Sequence, residues 1–325
     1  MPSKGNSFAA WFRDWMLPLA IVCGIGLYLF YHFTTFLRPA GPVLHVVVSE
    51  GQRLVIALLL FFQFVRIRPQ ELRLRRWHIF ALLLQIGGFI GFAALAARLP
   101  DGSARILSEC AMLCLICPTA SAAGVITDRL RGSLAETVTY LLVVNLAATL
   151  LIPTVIPMVR PSAELGFWQY VFRIAAKVFP VLVLPCLLAW LVRYTMPRLQ
   201  ARLFRWAPNS FYIWFFGLLL AMILATRALL MSHLGAGAIA GIVGVSLATC
   251  ALQFWAGRHA GGDRATRITA GQSLGQKNTG FLIWLGYNYL PPVTSVAGGL
   301  YAIWQNLFNS WELYEHEHKG SISSD

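Results

Sequence analysis

The sequence predicts an all-α polytopic membrane protein with ten transmembrane helices, and three observations support this. Of the 325 residues, 58% are hydrophobic and only 12% are charged, which is too few charges to cover the surface of a soluble domain. The mean hydropathy is +0.65. Apolar runs of about 20 residues, the length that crosses a bilayer as a helix, recur along the whole chain. Basic residues fall mainly in alternate loops between these runs.

The predicted spans are separated by short loops, and each ends where an apolar run ends. They cover residues 16–37, 42–65, 78–97, 106–127, 134–158, 167–192, 207–229, 234–256, 267–287 and 292–311. The remaining segment, 312–325, is rich in Glu, His and Ser and is predicted to be a disordered cytoplasmic tail.

The basic residues also predict the orientation in a plasma or inner membrane. If the N-terminus is cytoplasmic, 17 of the 26 Lys and Arg residues lie in cytoplasmic segments, 5 lie on the opposite side and 4 lie inside spans. This bias follows the positive-inside rule, and an even number of spans places both termini in the cytoplasm. The net charge of +13 is therefore attributed to topology and to contact with membrane lipid, and no nucleic-acid partner is expected.

The ten predicted spans divide into two halves of five, residues 1–158 and 159–311. Because five is odd, the second half enters the membrane from the opposite side, which is the arrangement of an inverted repeat. The fourth span of each half is interrupted by small and polar residues, at 117–124 and at 271–280. Paired interruptions of this kind indicate a transport site near the middle of the membrane. Close packing of small residues is the alternative, but it does not account for the run Gln-Lys-Asn at 276–278.

Four short motifs, in this order and spacing, resemble the bile acid:sodium symporter superfamily over nearly the whole chain. They are Gln85 in span 3, Cys117-Pro118 followed by Thr127 in span 4, Gly275-x-x-Asn278-Thr279-Gly280 in span 9, and Trp304-Gln305-Asn306 in span 10. The resemblance implies a core domain from spans 3–5 and 8–10 and a panel domain from spans 1, 2, 6 and 7. It also implies that spans 4 and 9 are broken and cross, with substrate bound between the domains and alternating access by their relative motion.

The chain departs from the sodium sites that the resemblance implies. The expected Ser-Asn pair is replaced by Ala123 and Gly124, the expected acidic residue by Ser273, and a glutamine by Lys277. Sodium prefers several oxygen ligands, and a nearby ammonium group would repel it. The resemblance and these departures together predict a transporter of a small organic anion that is not coupled to sodium through these sites. The polar residues that remain in the implied lining are Gln85, Thr127, Thr137 and Asn278.

Ionisable residues inside predicted spans are candidates for function because they are costly in a bilayer. Arg53, Arg173, Lys177 and Lys277 make the interior basic, which suits an anionic substrate. Arg53 could instead form a structural pair with Glu50, three residues earlier on the same helix face. A proton carried by Lys277 is the predicted replacement for sodium, with uniport as the alternative. The candidate substrate- or ion-binding residues are Lys277, Asn278, Gln276, Thr279, Ser273, Gln85, Thr127, Thr137, Ala123, Gly124, Lys177 and Arg53.

Two other functions are weighed against transport of an organic anion. Cys110, Cys114 and Cys117 share a helix face, which suits either a thiophilic site, as in arsenite-efflux permeases of the same superfamily, or close helix packing. A transporter-like sensor that binds its ligand without moving it is the second alternative. No enzymatic activity, cofactor or metal is expected, because no catalytic, nucleotide-binding or metal-binding motif is found in the sequence.

Overall fold

The computed structural model describes residues 6–232 and 234–322, and every regular element within these residues is a helix. Short 3₁₀ turns occur at Thr35–Ala40, Pro69–Glu71, Ala207–Asn209 and Pro292–Thr294. The α-helices are α1 (Asn6–Phe33), α2 (Gly41–Val65), α3 (Arg76–Arg98), α4 (Ser103–Ile116), α5 (Ala122–Arg129), α6 (Leu134–Val159), α7 (Phe167–Leu182), α8 (Leu184–Thr195), α9 (Pro197–Trp206), α10 (Ser210–Leu230), α11 (Ala236–Ala260), α12 (Arg264–Gly275), α13 (Thr279–Tyr289) and α14 (Ser295–Ile322).

Within the described residues, 6 helical segments are long and apolar enough to cross a membrane. They are formed by α1, α2 with its preceding turn, α3, α6, α9 with α10, and α11. Helices α7 and α8 are bent by 41° at Val183 and give a seventh segment if they are taken together. Many large apolar side chains are exposed on these helices, as expected for a surface in contact with lipid. The chain therefore has the character of a multi-pass membrane protein.

The predicted spans 106–127, 267–287 and 292–311 are not among these segments. The first two are divided into α4 with α5 and α12 with α13, so neither forms one continuous helix. The third lies on α14, whose apolar character is lowered by Gln305 and Asn309 among other polar residues. The number of ten spans and the inverted repeat therefore stay predictions.

The helices pack in two groups that contact each other. Helices α1 and α2 pack on α10, and α8 packs on α2. In the other group, α3 packs on α4 and on α6, while α11 packs on α4, α12 and α14. The groups meet where α2 and α10 contact α13 and where α10 contacts α14. This contact positions the site described below.

Helices α11 and α12 approach each other closely at Gly257. A Cβ atom at this position would lie 2.8 Å from the Cα of Gly271 and would also contact the carbonyl oxygen of Ala270. Both atoms belong to the backbone of α12, so neither can rotate away. Gly244 lies on the same helix with open space around its Cα.

We expect Gly257→Ala to lower the free energy of unfolding by about 1–3 kcal/mol, because the two backbones must separate. Gly244→Ala is the matched control, and we expect it to be neutral or stabilising by up to about 1 kcal/mol, since alanine favours a helix. Thermal denaturation of the purified variants in detergent measures both effects. A Gly257→Ala protein as stable as Gly244→Ala would contradict the packing described here.

An ion network holds the start of α4 against the end of α6. The carboxylate of Glu109 is buried and lies 2.6 Å from Arg160 and 3.5 Å from Arg105. Arg160 also lies 2.5 Å from Asp101, which is in the loop between α3 and α4. The hydrogen bond from Arg160 holds the pKa of Asp101 below its usual value. The network gives the buried Glu109 the paired cations that a buried carboxylate requires.

The predicted disordered tail is instead helical as far as Ile322, because α14 continues through residues 312–322. The side chain of Glu312 is buried and accepts hydrogen bonds from Arg258 at 2.5 Å and from Gln272 at 2.7 Å. These contacts attach the segment to α11 and α12. Residues 323–325 lie outside the described residues.

Candidate functional site at the two helix breaks

The first helix break separates α4 from α5. Pro118 has no backbone N–H and disfavours a helical conformation in the residue before it. Cys117 accordingly has ψ of 127°, and α4 ends at Ile116. The helix resumes as α5 at Ala122. The helix is therefore interrupted at 117–121, whereas residues 122–124 of the predicted interruption belong to α5.

The second break separates α12 from α13. Helix α12 ends at Gly275, and Gln276 is extended, with ψ of 120°. Asn278 caps the start of α13, because its Oδ1 accepts the backbone N–H of Phe281 at 3.2 Å. The interruption predicted at 271–280 is confirmed, although it is shorter than that range.

The two breaks lie side by side and satisfy each other's backbone groups. Thr119 and Lys277 form an antiparallel β-bridge. On either side of it, the N–H of Ala120 donates to the carbonyl of Gln276 at 3.0 Å, and the N–H of Asn278 donates to the carbonyl of Pro118 at 2.8 Å. A helix break inside a membrane is tolerated only where its free backbone groups find such partners. We call this paired segment, residues 117–121 and 276–278, the crossover.

Gln85 hydrogen-bonds to the end of α4 where the crossover begins. Its Nε2 donates to the carbonyls of Ile116 at 3.2 Å and Cys117 at 3.0 Å, and its Oε1 accepts the hydroxyl of Tyr140 at 2.7 Å. All three contacts are buried. Gln85 therefore caps the carbonyls that the end of α4 leaves free, and it does not line the cavity described below.

We expect Gln85→Leu to lower the free energy of unfolding by about 2–4 kcal/mol, because two buried carbonyls and the Tyr140 hydroxyl lose their partner. Tyr140→Phe removes a single hydrogen bond and should cost about 1 kcal/mol. Thermal denaturation in detergent measures both, with the exposed Gln70→Leu as the control. If Gln85→Leu is no less stable than Gln70→Leu, Gln85 does not hold the end of α4.

Lys277 is the central residue of the crossover, and its side chain is 0% exposed. Its backbone N–H donates to Oε1 of Gln305 at 2.8 Å. Its Nζ has no hydrogen-bond partner within the described part of the chain. The ionisable groups that interact with it electrostatically are the thiols of Cys117, Cys114 and Cys250. Within the described residues, no carboxylate pairs with this amine.

A narrow cavity of about 70 Å³ lies against the crossover, between α2 and α10 on one side and α14 on the other. This volume holds only a few water molecules. Four of the predicted site residues line it: Gln276, Lys277, Asn278 and Thr279. The structure adds residues that the candidate set lacks, namely Gln52, Gln305, Asn306 and Asn309. Gln305 and Asn306 belong to one of the four motifs, whereas Gln52 had only its polarity within an apolar span as a signal.

The cavity lining does not include Ser273, Thr127 or Thr137. Their hydroxyls instead form a buried hydrogen-bonded group next to the crossover. The Ser273 hydroxyl donates to Thr137 at 3.2 Å, and Thr137 donates to Thr127 at 3.3 Å. Thr119 joins them by donating to the carbonyl of Ser273 at 2.7 Å. These four residues are fully buried and satisfied by one another or by backbone groups.

Ala123 and Gly124 bring no side-chain oxygen to this region. Ala123 is buried, and the space beside the Gly124 Cα is already filled by Leu134. The region where the resemblance implies sodium sites therefore contains hydroxyl and backbone oxygens. No carboxylate takes part in the hydrogen bonds described for these residues.

Arg53 and Lys177 are brought to each other's vicinity, but not to the cavity. Glu50 lies between them, 2.5 Å from Arg53 and 3.5 Å from Lys177. The pairing of Glu50 with Arg53 is thus confirmed. Lys177 is paired with Glu50 on α2. This cluster links α2 to α7.

A chain of side chains connects the crossover to the far end of α14. Gln276 donates to Oε1 of Gln272, and Gln272 donates to Glu312, which also pairs with Arg258. Glu312 and Arg258 line a surface pocket of about 710 Å³ that also contains Arg264 and Arg267 among its lining residues. No sequence signal marked Glu312 as part of the site, because its partners are distant in the chain.

The three cysteines on α4 and at its end contact different groups. Cys110 lies 4.0 Å from the carbonyl of Thr294, and Cys117 lies 3.1 Å from that of Asn278. Cys114 bonds to Thr249. In the ranges that the structure describes, no group of three or more His, Cys, Asp or Glu side chains is placed to hold a metal ion.

Comparison with known proteins found no protein-family model that matches the chain and no matching curated protein. Function is therefore inferred from the residues at the crossover.

Proposed function

We propose that this protein is a secondary active transporter of a small organic anion, working by alternating access and without sodium coupling at the crossover. The observation that carries the proposal is the pairing of two helix breaks around the buried Lys277, beside a polar cavity. In this proposal the chain has ten spans in two inverted repeats of five, and both termini are cytoplasmic.

The chemistry of the crossover favours an anion. The amides of Gln52, Asn278 and Asn306 supply neutral donors at the cavity, and the crossover beside it holds the buried amine of Lys277 without a counterion. Helices α5 and α13 both begin at the crossover, and Ala122 and Thr279 at their first positions line the cavity. The N-terminal end of a helix carries a partial positive charge, so both ends attract an anionic group.

The cavity also lies where alternating access requires it, between the two groups of helices. Gln52 and Trp214 reach it from α2 and α10, while Asn306 reaches it from α14. These residues belong to the panel and core domains that the resemblance implies. With a volume of about 70 Å³, the cavity must widen to admit an organic anion, and a relative movement of the two groups would widen it.

The proposal excludes the family's sodium coupling because of what surrounds the crossover. Sodium prefers several oxygen ligands that include a carboxylate, and no carboxylate takes part in the hydrogen bonds described for Thr119, Thr127, Thr137 and Ser273. The nearby amine of Lys277 would repel a second cation. We propose that a proton on Lys277 drives transport, with uniport as the alternative.

Ligand binding and uptake together test this function. Purified protein is screened by thermal shift against mono- and dicarboxylates and sulfonates, in sodium chloride and in choline chloride, at several pH values. We expect the stabilising anion to act equally in both salts, and the same anion to show counterflow in proteoliposomes. Stabilisation that requires sodium would refute the proposed coupling. Binding without counterflow would instead indicate a sensor.

A further inference from the structure

A second and larger cavity lies away from the crossover, where α1 ends, α2 begins and α10 ends. Its volume is about 920 Å³, which is within the usual range for a site that holds a small organic molecule. Its wall is mainly aliphatic and aromatic, with Leu27, Phe30, Leu44, Val46 and Leu224 among its members. Leu27 is 50% exposed, Phe30 62% and Val46 58%, so the cavity opens onto the apolar surface that faces lipid.

The cavity results from the divergence of α1 from α10. At Gly24 the two helices are in close contact, and a Cβ atom there would lie 2.7 Å from the carbonyl oxygen of Leu219. One turn further along, Leu27 and Ile223 already line the cavity. Tyr28, which is only 5% exposed, and the partly buried Tyr31 are also among the lining residues. The close contact at Gly24 fixes the closed end of the cavity.

The polar members of the wall are basic. Arg38, Arg227, His32 and His45 line the cavity, and none of the described residues in its wall is acidic. Arg227 lies near Tyr28, His45 and Tyr287, none of which carries a carboxylate. Among the ion pairs of the described residues, none includes Arg38 or Arg227. The cavity therefore presents two arginines without a counterion at the end of an apolar groove.

We propose that this cavity is a binding site for an anionic phospholipid of the membrane. The phosphate is held by Arg227 and Arg38, and an acyl chain lies along the apolar wall between α1 and α2. The opening onto the apolar surface favours a molecule that arrives from the bilayer. The arginines lie at the helix ends, which is the depth of lipid headgroups. Guanidinium groups bind phosphate in a bidentate manner, and the basic wall repels the ammonium group of a zwitterionic headgroup, so the site favours an anionic one.

Native mass spectrometry tests the site directly. The full chain is reconstituted in nanodiscs of equal parts phosphatidylglycerol and phosphatidylcholine, released, and scored for the lipid that stays bound. We expect the unmodified protein to retain phosphatidylglycerol, and Arg227→Gln to lower this retention by about tenfold or more. Arg98→Gln is the matched control, because Arg98 is an exposed arginine in the last turn of α3 and does not line the cavity.

A second variant separates loss of the site from loss of charge. Leu44→Trp fills the cavity at a partly exposed position while both arginines remain, and we expect it to reduce phosphatidylglycerol retention as Arg227→Gln does. The thermal midpoint of each variant shows that it is folded. The proposal is overturned if Arg227→Gln retains phosphatidylglycerol like the unmodified protein, or if Arg98→Gln loses it equally. Equal retention of phosphatidylcholine, or full displacement by glycerol phosphate, would also overturn it.

Discussion

Replacing Lys277 with methionine is expected to stabilise the protein and to lower the proposed transport by about 100-fold. The amine of Lys277 is fully buried and has no hydrogen-bond partner within the described residues. Burying an ionisable group without a partner costs several kcal/mol, whereas methionine has a similar length and no charge. We therefore expect the free energy of unfolding to rise by about 1–3 kcal/mol.

The loss of transport follows from the same group. In the proposed mechanism Lys277 is the charge that the substrate anion meets and the carrier of the coupled proton. Removing a charge-assisted contact costs about 2–3 kcal/mol of binding, so counterflow in proteoliposomes should fall by about 100-fold. Thermal denaturation of the same preparation measures the gain in stability. A gain in stability with a loss of activity is typical of a residue that is kept for function.

Lys177→Met is the matched control for this experiment. Lys177 is half-exposed, is paired with Glu50 and does not line the crossover cavity. We expect its replacement to change stability by less than about 1 kcal/mol, because exposed ion pairs contribute little. A Lys277→Met protein that transports normally would refute the proposed role of the amine. A Lys277→Met protein that is less stable than the unmodified one would show that the amine has a partner.

The two helix breaks could be predicted from the sequence because their causes are local. Pro118 acts on the residue directly before it, and Gly275 is followed at once by polar residues that do not favour a buried helix. The pairing of the breaks came from the resemblance, and the backbone hydrogen bonds at Thr119 and Lys277 now give it a physical basis. Of the motif residues, Asn278 lies in the crossover, and Gln305 hydrogen-bonds to it and lines the cavity.

The parts of the site that depend on distant partners could not be predicted. Gln85 resembles a ligand in the sequence, but it caps carbonyls of Ile116 and Cys117 that are 31 and 32 positions away. Charge alone places Arg53 and Lys177 with Lys277, but both side chains instead pair with Glu50, away from the crossover cavity. A count of charges inside spans gives their cost in a bilayer, but it does not specify which partner offsets that cost.

The last turns of α14 provide the second large effect. Glu312 was placed in a disordered tail because its neighbours in sequence are polar, yet Arg258, which pairs with it, is 54 positions away. Replacing Glu312 with leucine leaves the guanidinium of Arg258 and the amide of Gln272 without their acceptor. Breaking a buried pair in this way typically costs about 3–5 kcal/mol. Because the Arg258 side chain is 35% exposed and partly screened by water, we expect a loss of about 2–3 kcal/mol.

A double-mutant cycle isolates the pair. Arg258→Leu should cost at least as much as Glu312→Leu, because it leaves the buried carboxylate of Glu312 with only its hydrogen bond from Gln272 and also removes a contact with the ring of Trp311. The double variant has neither charge to bury and should be more stable than the sum of the two losses predicts, by about 1–3 kcal/mol. Thermal denaturation in detergent measures the stability of the unmodified protein, the two single variants and the double variant. Additive losses would show that the two residues do not act as a pair.

Two truncations test the same segment without substituting a side chain. A chain that ends at His316 keeps Glu312 and should be as stable as the full chain, whereas one that ends at Trp311 should lose as much stability as Glu312→Leu. A disordered tail predicts that both truncations are neutral. Because Gln272 joins Glu312 to Gln276, the Trp311 truncation also releases one of the contacts that hold the crossover in place. We therefore expect it to lower transport by more than its loss of folded protein accounts for, and the His316 truncation to leave transport unchanged.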